Sequence, residues 1–336
     1  MKKPLIILTG PTAAGKTKAS IGLAKAVGGE IISADSMQVY RYMDIGSAKI
    51  RPAEMEGIPH HLVDVLDPEE DFHVVRFQQM AKEAMKGIYK RGHIPIVVGG
   101  TGFYIQALLY DIDFTENEGD TACREHLEQL AREKGAAYLH AMLREKDPKS
   151  AEDIHENNVK RVIRALEFYQ QTGIRISDHN AEERKKESPY NYAYFVLHDD
   201  RSRLYERIDR RVDRMLEEGL VEEVKSLKAR GLGRDKISMQ GLGYKEIMAY
   251  LDQEMTLDEA VYTIKRDTRH FAKRQITWFK REQDVIWLNK QEFAYDEKRL
   301  LARMLDELEK RSHRRTLFRR FPGGHAAFRL HIGISV

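Results

Sequence analysis

The sequence predicts an α/β fold, a mostly parallel sheet flanked by helices and interrupted by an all-helical insertion. Three observations predict it: short apolar runs that stop at glycine, helical patterns alternating with them, and a dense stretch of charge near the middle of the chain in which no strand-like run occurs. Pro4-Leu5-Ile6-Ile7-Leu8 ends before Gly10, and Ile94-Pro95-Ile96-Val97-Val98 ends at Gly99-Gly100. Runs apolar on both faces suit buried strands of a parallel sheet. Lys18 to Val27 has helical spacing, Glu30 to Ser33 and His61 to Val65 read as strands, Val74 to Arg91 as a helix, and Tyr192 to Leu197 as a later strand.

Residues 113–188 form the insertion. Val159, Val162, Ile163, Leu166 and Tyr169 share one helical face ending at Thr172-Gly173, with Lys160, Arg161 and Arg164 towards the other side. After the Tyr192 strand, Leu204, Ile208, Val212 and Met215 make an apolar stripe with Arg203, Arg207 and Arg211 stepping beside it. The core is therefore expected over 1–112 and 189–310. Residues 311–336, which include His313-Arg314-Arg315 and Pro322-Gly323-Gly324, are expected to be a poorly ordered basic tail.

Composition narrows the function classes. Basic residues exceed acidic ones by only three among 336, so a nucleic-acid surface must come from local clustering rather than from a uniformly basic coat. The one cysteine, Cys123, forms neither an internal disulfide nor a thiolate zinc site and fits a reducing compartment. Met1-Lys2-Lys3 precedes a run too short for a signal peptide, and no segment has the length of a membrane span, so a cytoplasmic protein without membrane contact is expected.

Gly10-Pro11-Thr12-Ala13-Ala14-Gly15-Lys16-Thr17 fits G-x-x-x-x-G-K-[ST] between a strand and a helix, which specifies a P-loop NTPase-like core. Glycines let the backbone close round phosphate oxygens, helix-start amides donate to them, Lys16 supplies compact charge, and Thr17 is the candidate ligand of Mg²⁺. The motif leaves ATP, GTP and a prenyl diphosphate open. Asp35, with Ser36, Met37, Gln38 and Tyr40, follows the second strand at the sheet edge where ligands of open α/β folds bind. It suits magnesium binding, sugar binding or proton removal equally. Gly99-Gly100-Thr101-Gly102-Phe103-Tyr104 closes another strand on the same edge, and Tyr40 and Tyr104 also suit core positions.

With these stretches, D-I-G-S-A-K from Asp44, P-H-H-L-V-D from Pro59, V-K-R-V-I-R-A-L-E from Val159, R-I-D-R-R-V-D-R-M-L-E-E-G-L from Arg207, Q-G-L-G-Y-K from Gln240 and A-K-R-Q-I-T-W-F from Ala272 occur in order between about residues 5 and 290. The chain so far resembles the bacterial tRNA dimethylallyltransferases, also called tRNA isopentenyltransferases. Ser47 stands where that family commonly has Thr, and Phe103 where it commonly has Leu. The zinc module of many eukaryotic members has no cysteines here.

The resemblance implies a monomer that moves a dimethylallyl group from dimethylallyl diphosphate to the exocyclic amine of the adenosine next to the anticodon, on its 3′ side. The loop from Thr12 to Thr17 would hold diphosphate rather than ATP, with Mg²⁺ at Thr17 and a guanidinium from Arg211, or secondarily Arg207. Asp35 would take the amine proton, and Thr101 would bridge diphosphate and adenine. Ser36, Met37 and Gln38 would read the base. Val159, Lys160, Arg161, Val162 and Ile163, then Gln240, Gly241, Leu242, Gly243, Tyr244 and Lys245, would meet the anticodon stem-loop, as would Lys273, Arg274, Trp278 and Lys280. These last belong to a basic cluster that also contains Lys265, Arg266, Arg269 and Arg281. Alternatives are a P-loop kinase of a nucleotide or small metabolite, an adenylate prenyltransferase, and a nucleotide-switched RNA-binding protein.

Overall fold

A computed structural model describes residues 2–114, 121–183 and 185–315. Six strands form one wholly parallel sheet: β1 (Lys3–Thr9), β2 (Gly29–Ala34), β3 (His60–His61), β4 (Ile94–Gly99), β5 (Tyr190–His198) and β6 (Val285–Asn289). Their order across the sheet is β3-β2-β4-β1-β5-β6. β1 lies between β4 and β5, with Thr9 beside Gly99 on one side and Val196 on the other. The chain leaves β1 towards β2 and later returns to its opposite flank, so the carboxyl end of β1 is the topological switch point where open α/β sheets bind ligands. Parallel pairing with helical crossovers explains why β1, β4 and β5 read as continuous apolar runs.

The helices are α1 (Lys16–Val27), α2 (Val74–Lys90), α3 (Gly102–Leu109), α4 (Thr121–Lys134), α5 (Ala136–Lys146), α6 (Pro148–Asp153), α7 (Val159–Thr172), α8 (Ile176–Glu183), α9 (Arg201–Glu217), α10 (Leu220–Ala229), α11 (Tyr244–Leu251), α12 (Leu257–Phe279) and α13 (Glu297–Arg315). One compact unit comprises Met1–Leu109 with Pro189–Val336, and the other is Tyr110–Ser188. In the first, Ile6, Leu8, Leu23, Ile96, Phe195, Leu300 and Met304 belong to one buried cluster that packs α1 and α13 on the sheet. Tyr40, Phe72, Phe77 and Tyr104 form a buried aromatic group, in which Phe77 and Tyr104 stack at 4.7 Å. The second unit is helical in its described residues, with Leu127, Leu139, Leu143, Val162, Ile163 and Leu166 in its core.

Two expectations change. The strand expected over His61 to Val65 reduces to His60–His61, because Leu62 and Asp64 take left-handed φ values of 62° and 59° that no strand accommodates. Helical structure expected to end near Arg311 continues to Arg315, where Arg311 is tied down by donating to the Tyr192 carbonyl at 3.2 Å. The rest of the expected tail lies outside the described residues. Among the described residues no helix is long and apolar enough to cross a membrane.

At the sheet edge opposite the loops, Glu30 is buried, and its carboxylate accepts from Arg91 at 2.8 and 2.7 Å, with His61 and His93 at 2.7 and 2.6 Å. The Arg91 hydrogen bonds first, then those of the histidines, hold its pKa down to about 2 against the ordinary 4.5, despite burial. A depressed carboxyl stabilises the fold fully above about pH 4.5 and loses that contribution as pH falls through about 2. Glu30→Gln should therefore lower unfolding stability by roughly 2–3 kcal/mol at pH 7. In urea titrations its deficit against wild type should shrink progressively below pH 4.5; a deficit independent of pH would refute the assignment.

Candidate functional site

The phosphate loop turns sharply between β1 and α1. Gly10 has φ 148° and lies so close to β5 that a Cβ would sit 2.3 Å from the Leu197 carbonyl oxygen. Gly15, at φ 90°, precedes the first turn of α1 with no side-chain cap, which leaves that turn's N–H groups to an anion. Lys16 Nζ donates to the Gly10 and Pro11 carbonyls at 3.0 and 2.9 Å. Ala13 and Ala14 are buried, so this part of the loop offers backbone rather than side chains, whereas Thr17 is exposed.

Arginines reach the loop from α9. Its buried face, Leu204, Ile208 and Val212, packs inward and leaves Arg207 and Arg211 half-buried alongside. Arg211 Nη1 donates to Thr12 Oγ1 at 3.3 Å. Arg207 Nη2 and Lys290 Nζ lie 3.2 and 2.9 Å from the point a Cβ on Gly15 would occupy. Arg207 is oriented by Asp199 at 3.4 Å, which also accepts from the Tyr295 hydroxyl at 3.0 Å, and Lys290 pairs with Glu297 at 2.8 Å. Burial first, then the charge of Arg211, pushes Lys16 down to about 8, while Asp35 opposes the shift. Burial likewise lowers Arg211, again opposed by Asp35. A cluster of cations in a desolvated pocket, with one carboxylate near it, is built for a polyanion.

Asp35 follows β2. Its Oδ1 accepts from the Met37 and Gln38 amides at 2.8 and 3.3 Å, a turn that fixes the carboxylate and leaves its second oxygen for other work. Gln38 Nε2 donates to Ala48 O at 3.1 Å, and the Asp44–Gly46 amides donate to Glu223 at 2.8, 2.7 and 3.0 Å, so α10 anchors this loop. Ser36 and Met37 are half-buried, and Met37 packs against Gly241. Thr101 immediately precedes α3, with its amide donating to Ala34 O at 3.2 Å.

The structure brings together Gly10 to Thr17, Arg207, Arg211, Asp35 to Gln38 and Thr101 at one sheet edge. Other expected contacts separate by burial. Val162 and Ile163 are core residues of the helical unit, because the 3.6-residue period turns them inward, while Lys160 and Arg161 are exposed and Val159 half-buried. Tyr244 is fully buried and donates to Glu223 at 2.8 Å, and Gly243 is buried with it. Gln240 is exposed, and Gly241, Leu242 and Lys245 are partly so. In the basic cluster, Lys265 and Arg269 pair with Asp213 and Asp209 of α9 at 2.5 and 2.6 Å, and Arg266 pairs with Asp267. Lys273, Arg274 and Lys280 are exposed, and among the described residues they carry no ion pair; Trp278 lies edge-on to the exposed Phe103 at 6.1 Å.

Gln275, Glu223, Asp199 and Lys290 are polar residues in this region that sequence reasoning did not assign. Their signal was weak, since each lies within a helix or at a strand end with ordinary spacing, although Gln275 stands inside the A-K-R-Q-I-T-W-F stretch.

The fold and these loops define a phosphate-loop α/β protein whose cation-lined loop stands beside a fixed carboxylate. Residues 38–282 match the model of the IPP transferase family and residues 3–65 that of isopentenyl transferase. The chain is 64% identical over 294 residues, 88% of it and 94% of the relative, to a tRNA dimethylallyltransferase from Lachnoclostridium phytofermentans. Among solved structures, it resembles the tRNA isopentenylpyrophosphate transferase of Bacillus halodurans at 44% identity and TM-score 0.69, over 93% of this chain and 99% of that one. A eukaryotic dimethylallyltransferase acting on tRNA matches at 32% identity and TM-score 0.74, over 85% and 74%. The chain belongs to the IPP transferase family.

An anion that offsets the Arg211 charge should raise the Lys16 pKa above its value of about 8, so binding takes up a proton near that pH. Affinity for inorganic diphosphate should lose up to about tenfold per pH unit above 8 beyond the probe's own titration. Calorimetry in two buffers of different ionisation enthalpy measures the uptake. Lys16→Arg should lose that slope, and an identical slope in both proteins would sink the prediction.

Proposed function

We propose that this chain transfers the dimethylallyl group of dimethylallyl diphosphate to tRNA, at the exocyclic amine of the adenosine on the 3′ side of the anticodon. The observation that carries the reading is the pairing of a cation-crowded phosphate loop with the turn-fixed carboxylate of Asp35 in a chain so similar to tRNA dimethylallyltransferases. The relatives named above are transferases acting on tRNA, which disfavours the kinase alternative.

In this reading the amine nitrogen attacks the allylic carbon C1. The new N–C1 bond forms as the C1–O bond breaks, its electron pair leaves with diphosphate, and the amine proton passes to Asp35. Adenine's exocyclic lone pair is delocalised, so a positioned base contributes about 10²–10⁴-fold. Charge growing on the leaving oxygens meets the α1 amides, Lys16, Arg211 and Arg207, dipoles and cations already in place before reaction. Thr12 Oγ1 accepts from Arg211, which directs its own proton away from the arginine and towards a phosphate oxygen. Thr101 stands between the two substrates.

The residues present suit Mg²⁺. Thr17 would hold it through an exposed hydroxyl at the start of α1, and a loop-bound ion would take most of its other ligands from phosphate and water. When bound there, the ion neutralises leaving-group charge.

A stacked base does not reach this edge, so the adenosine is flipped out at a cost of a few kcal/mol. Ser36, Met37 and Gln38 read the flipped base. Lys273, Arg274 and Lys280 offset the cost by binding phosphates beside Trp278, with Gln240, Lys245, Lys160 and Arg161 as further RNA contacts.

The test is transfer of labelled dimethylallyl diphosphate to an unmodified anticodon stem-loop with Mg²⁺, with AMP and ATP as competing acceptors. Label should appear on the stem-loop. Asp35→Ala should lower kcat by about 10²–10⁴-fold with RNA binding retained. Label on AMP alone would make the chain a cytokinin-type enzyme, and ATP turnover without prenyl transfer would restore the kinase reading.

Replacing Lys273, Arg274 and Lys280 together with Ala should reduce the slope of log affinity against log salt by about two to three. Replacing Lys265 and Arg269, which are paired within the fold, should instead lower thermal stability and leave the slope near wild type.

A further inference from the structure

We infer that Gln275 is a positioning residue that sets the spacing between the diphosphate loop and the Thr101 loop, an inference that rests on the reaction proposed above. Gln275 lies on α12 and is buried at 5% exposure. Its Oε1 accepts from the Thr12 amide at 2.9 Å, and its Nε2 donates to the Gly100 carbonyl at 2.9 Å. The two partners follow β1 and β4, whose ladder closes with Thr9 beside Gly99 and with Thr9 Oγ1 donating to Gly99 O at 2.6 Å. Beyond that pair the strands give way to separate loops, and the Gln275 amide spans them.

The contact demands this side chain. One planar group must present an acceptor to one loop and a donor to the other, and only an amide does so at this size. A Cβ on Gly100 would lie 2.2 Å from Nε2, so the close approach also depends on that glycine. Thr12 is thereby held twice: its amide by α12 and its hydroxyl by Arg211 of α9. Gln275 touches neither substrate in this account. It acts through Thr12 and the backbone before Thr101, fixing the gap across which the allylic carbon and the amine meet. Misplacement of about 1 Å in such a gap costs about 10²-fold in rate.

Gln275→Met keeps the volume and removes both hydrogen bonds; Gln275→Glu keeps the shape and sets an oxygen against the Gly100 carbonyl. Steady-state kinetics with dimethylallyl diphosphate and an unmodified anticodon stem-loop, calorimetry with inorganic diphosphate, and thermal melting are read on the same preparations of the full chain. The expected result for Gln275→Met is a kcat lower by about 30- to 100-fold. Diphosphate affinity and KM for the stem-loop should stay within about threefold of wild type, because Lys16, Arg211 and the α12 cations remain. Gln275→Glu should lose at least as much kcat, and should it not fold, Gln275→Met alone decides. Variants at wild-type kcat would overturn the inference. So would a kcat loss matched by an equal loss of diphosphate affinity and of melting temperature, which would mark a residue that only holds the fold. Wild-type protein that binds diphosphate but transfers nothing would instead sink the proposed reaction and this inference with it.

Discussion

Concentrated positive charge at the end of β1 is the constraint around which the sheet-bearing unit is arranged. Burial lowers the proton affinity of both Lys16 and Arg211, the charge of Arg211 lowers that of Lys16 further, and the charges of Arg207 and Arg214 lower that of Arg211, with Lys290 also beside the loop. Such crowding works against folding, and the structure limits it with a few well-placed carboxylates: Asp35 in front, Asp199 on Arg207 and Glu297 on Lys290. None of these cancels the charge on the loop itself. A fold that keeps this crowding gives up stability, and the proposed diphosphate binding would recover it, the usual exchange at a preorganised electrostatic site. The apolar anchoring of α9 through Leu204, Ile208 and Val212 makes the arrangement sustainable, since it fixes arginine stems that solvent would otherwise disperse.

What was legible in the sequence is what short stretches of backbone specify. The phosphate loop, the glycine-ended strands and the carboxylate after β2 carry their geometry in adjacent residues, and all appear where the spacing put them. Burial direction was less legible. Val162 and Ile163 belong to a motif that includes exposed Lys160 and Arg161, and a motif span does not distinguish the residues that touch a ligand from those that hold the helix. Tyr244 is the same case, a tyrosine in a Gly-rich turn that spends its hydroxyl on Glu223. Residues 62–65 have the composition of a strand, yet two left-handed φ values end it after His61.

The contacts that join the loops were illegible for a different reason. Gln275 meets Thr12 across 263 positions of sequence, and Glu223 meets the Ile45 amide across 178. Nothing local to a helix marks one polar residue as the partner of a distant backbone group. Those partners nevertheless decide whether the loops are rigid. A weak amine nucleophile gains little from groups that must reorganise during reaction, so loops held at both ends by rigid helices are what the proposed chemistry requires.

The charges of α12 divide between pairing within the fold and exposure to solvent, the division that the proposed RNA contact needs from a helix in a chain of small net charge. Towards its start, Lys265 and Arg269 are spent on Asp213 and Asp209, joining the helix that carries Gln275 to the helix that carries Arg211. Past that point the pairing acids stop, and Lys273, Arg274 and Lys280 stand exposed next to Trp278. A formal charge of only +3 over the whole chain therefore says nothing against a nucleic-acid surface, because internal pairing removes cations and anions in equal number. What remains is a short cationic patch near the Gly100–Thr101 loop, and a short patch suits a substrate recognised at one loop rather than along a duplex.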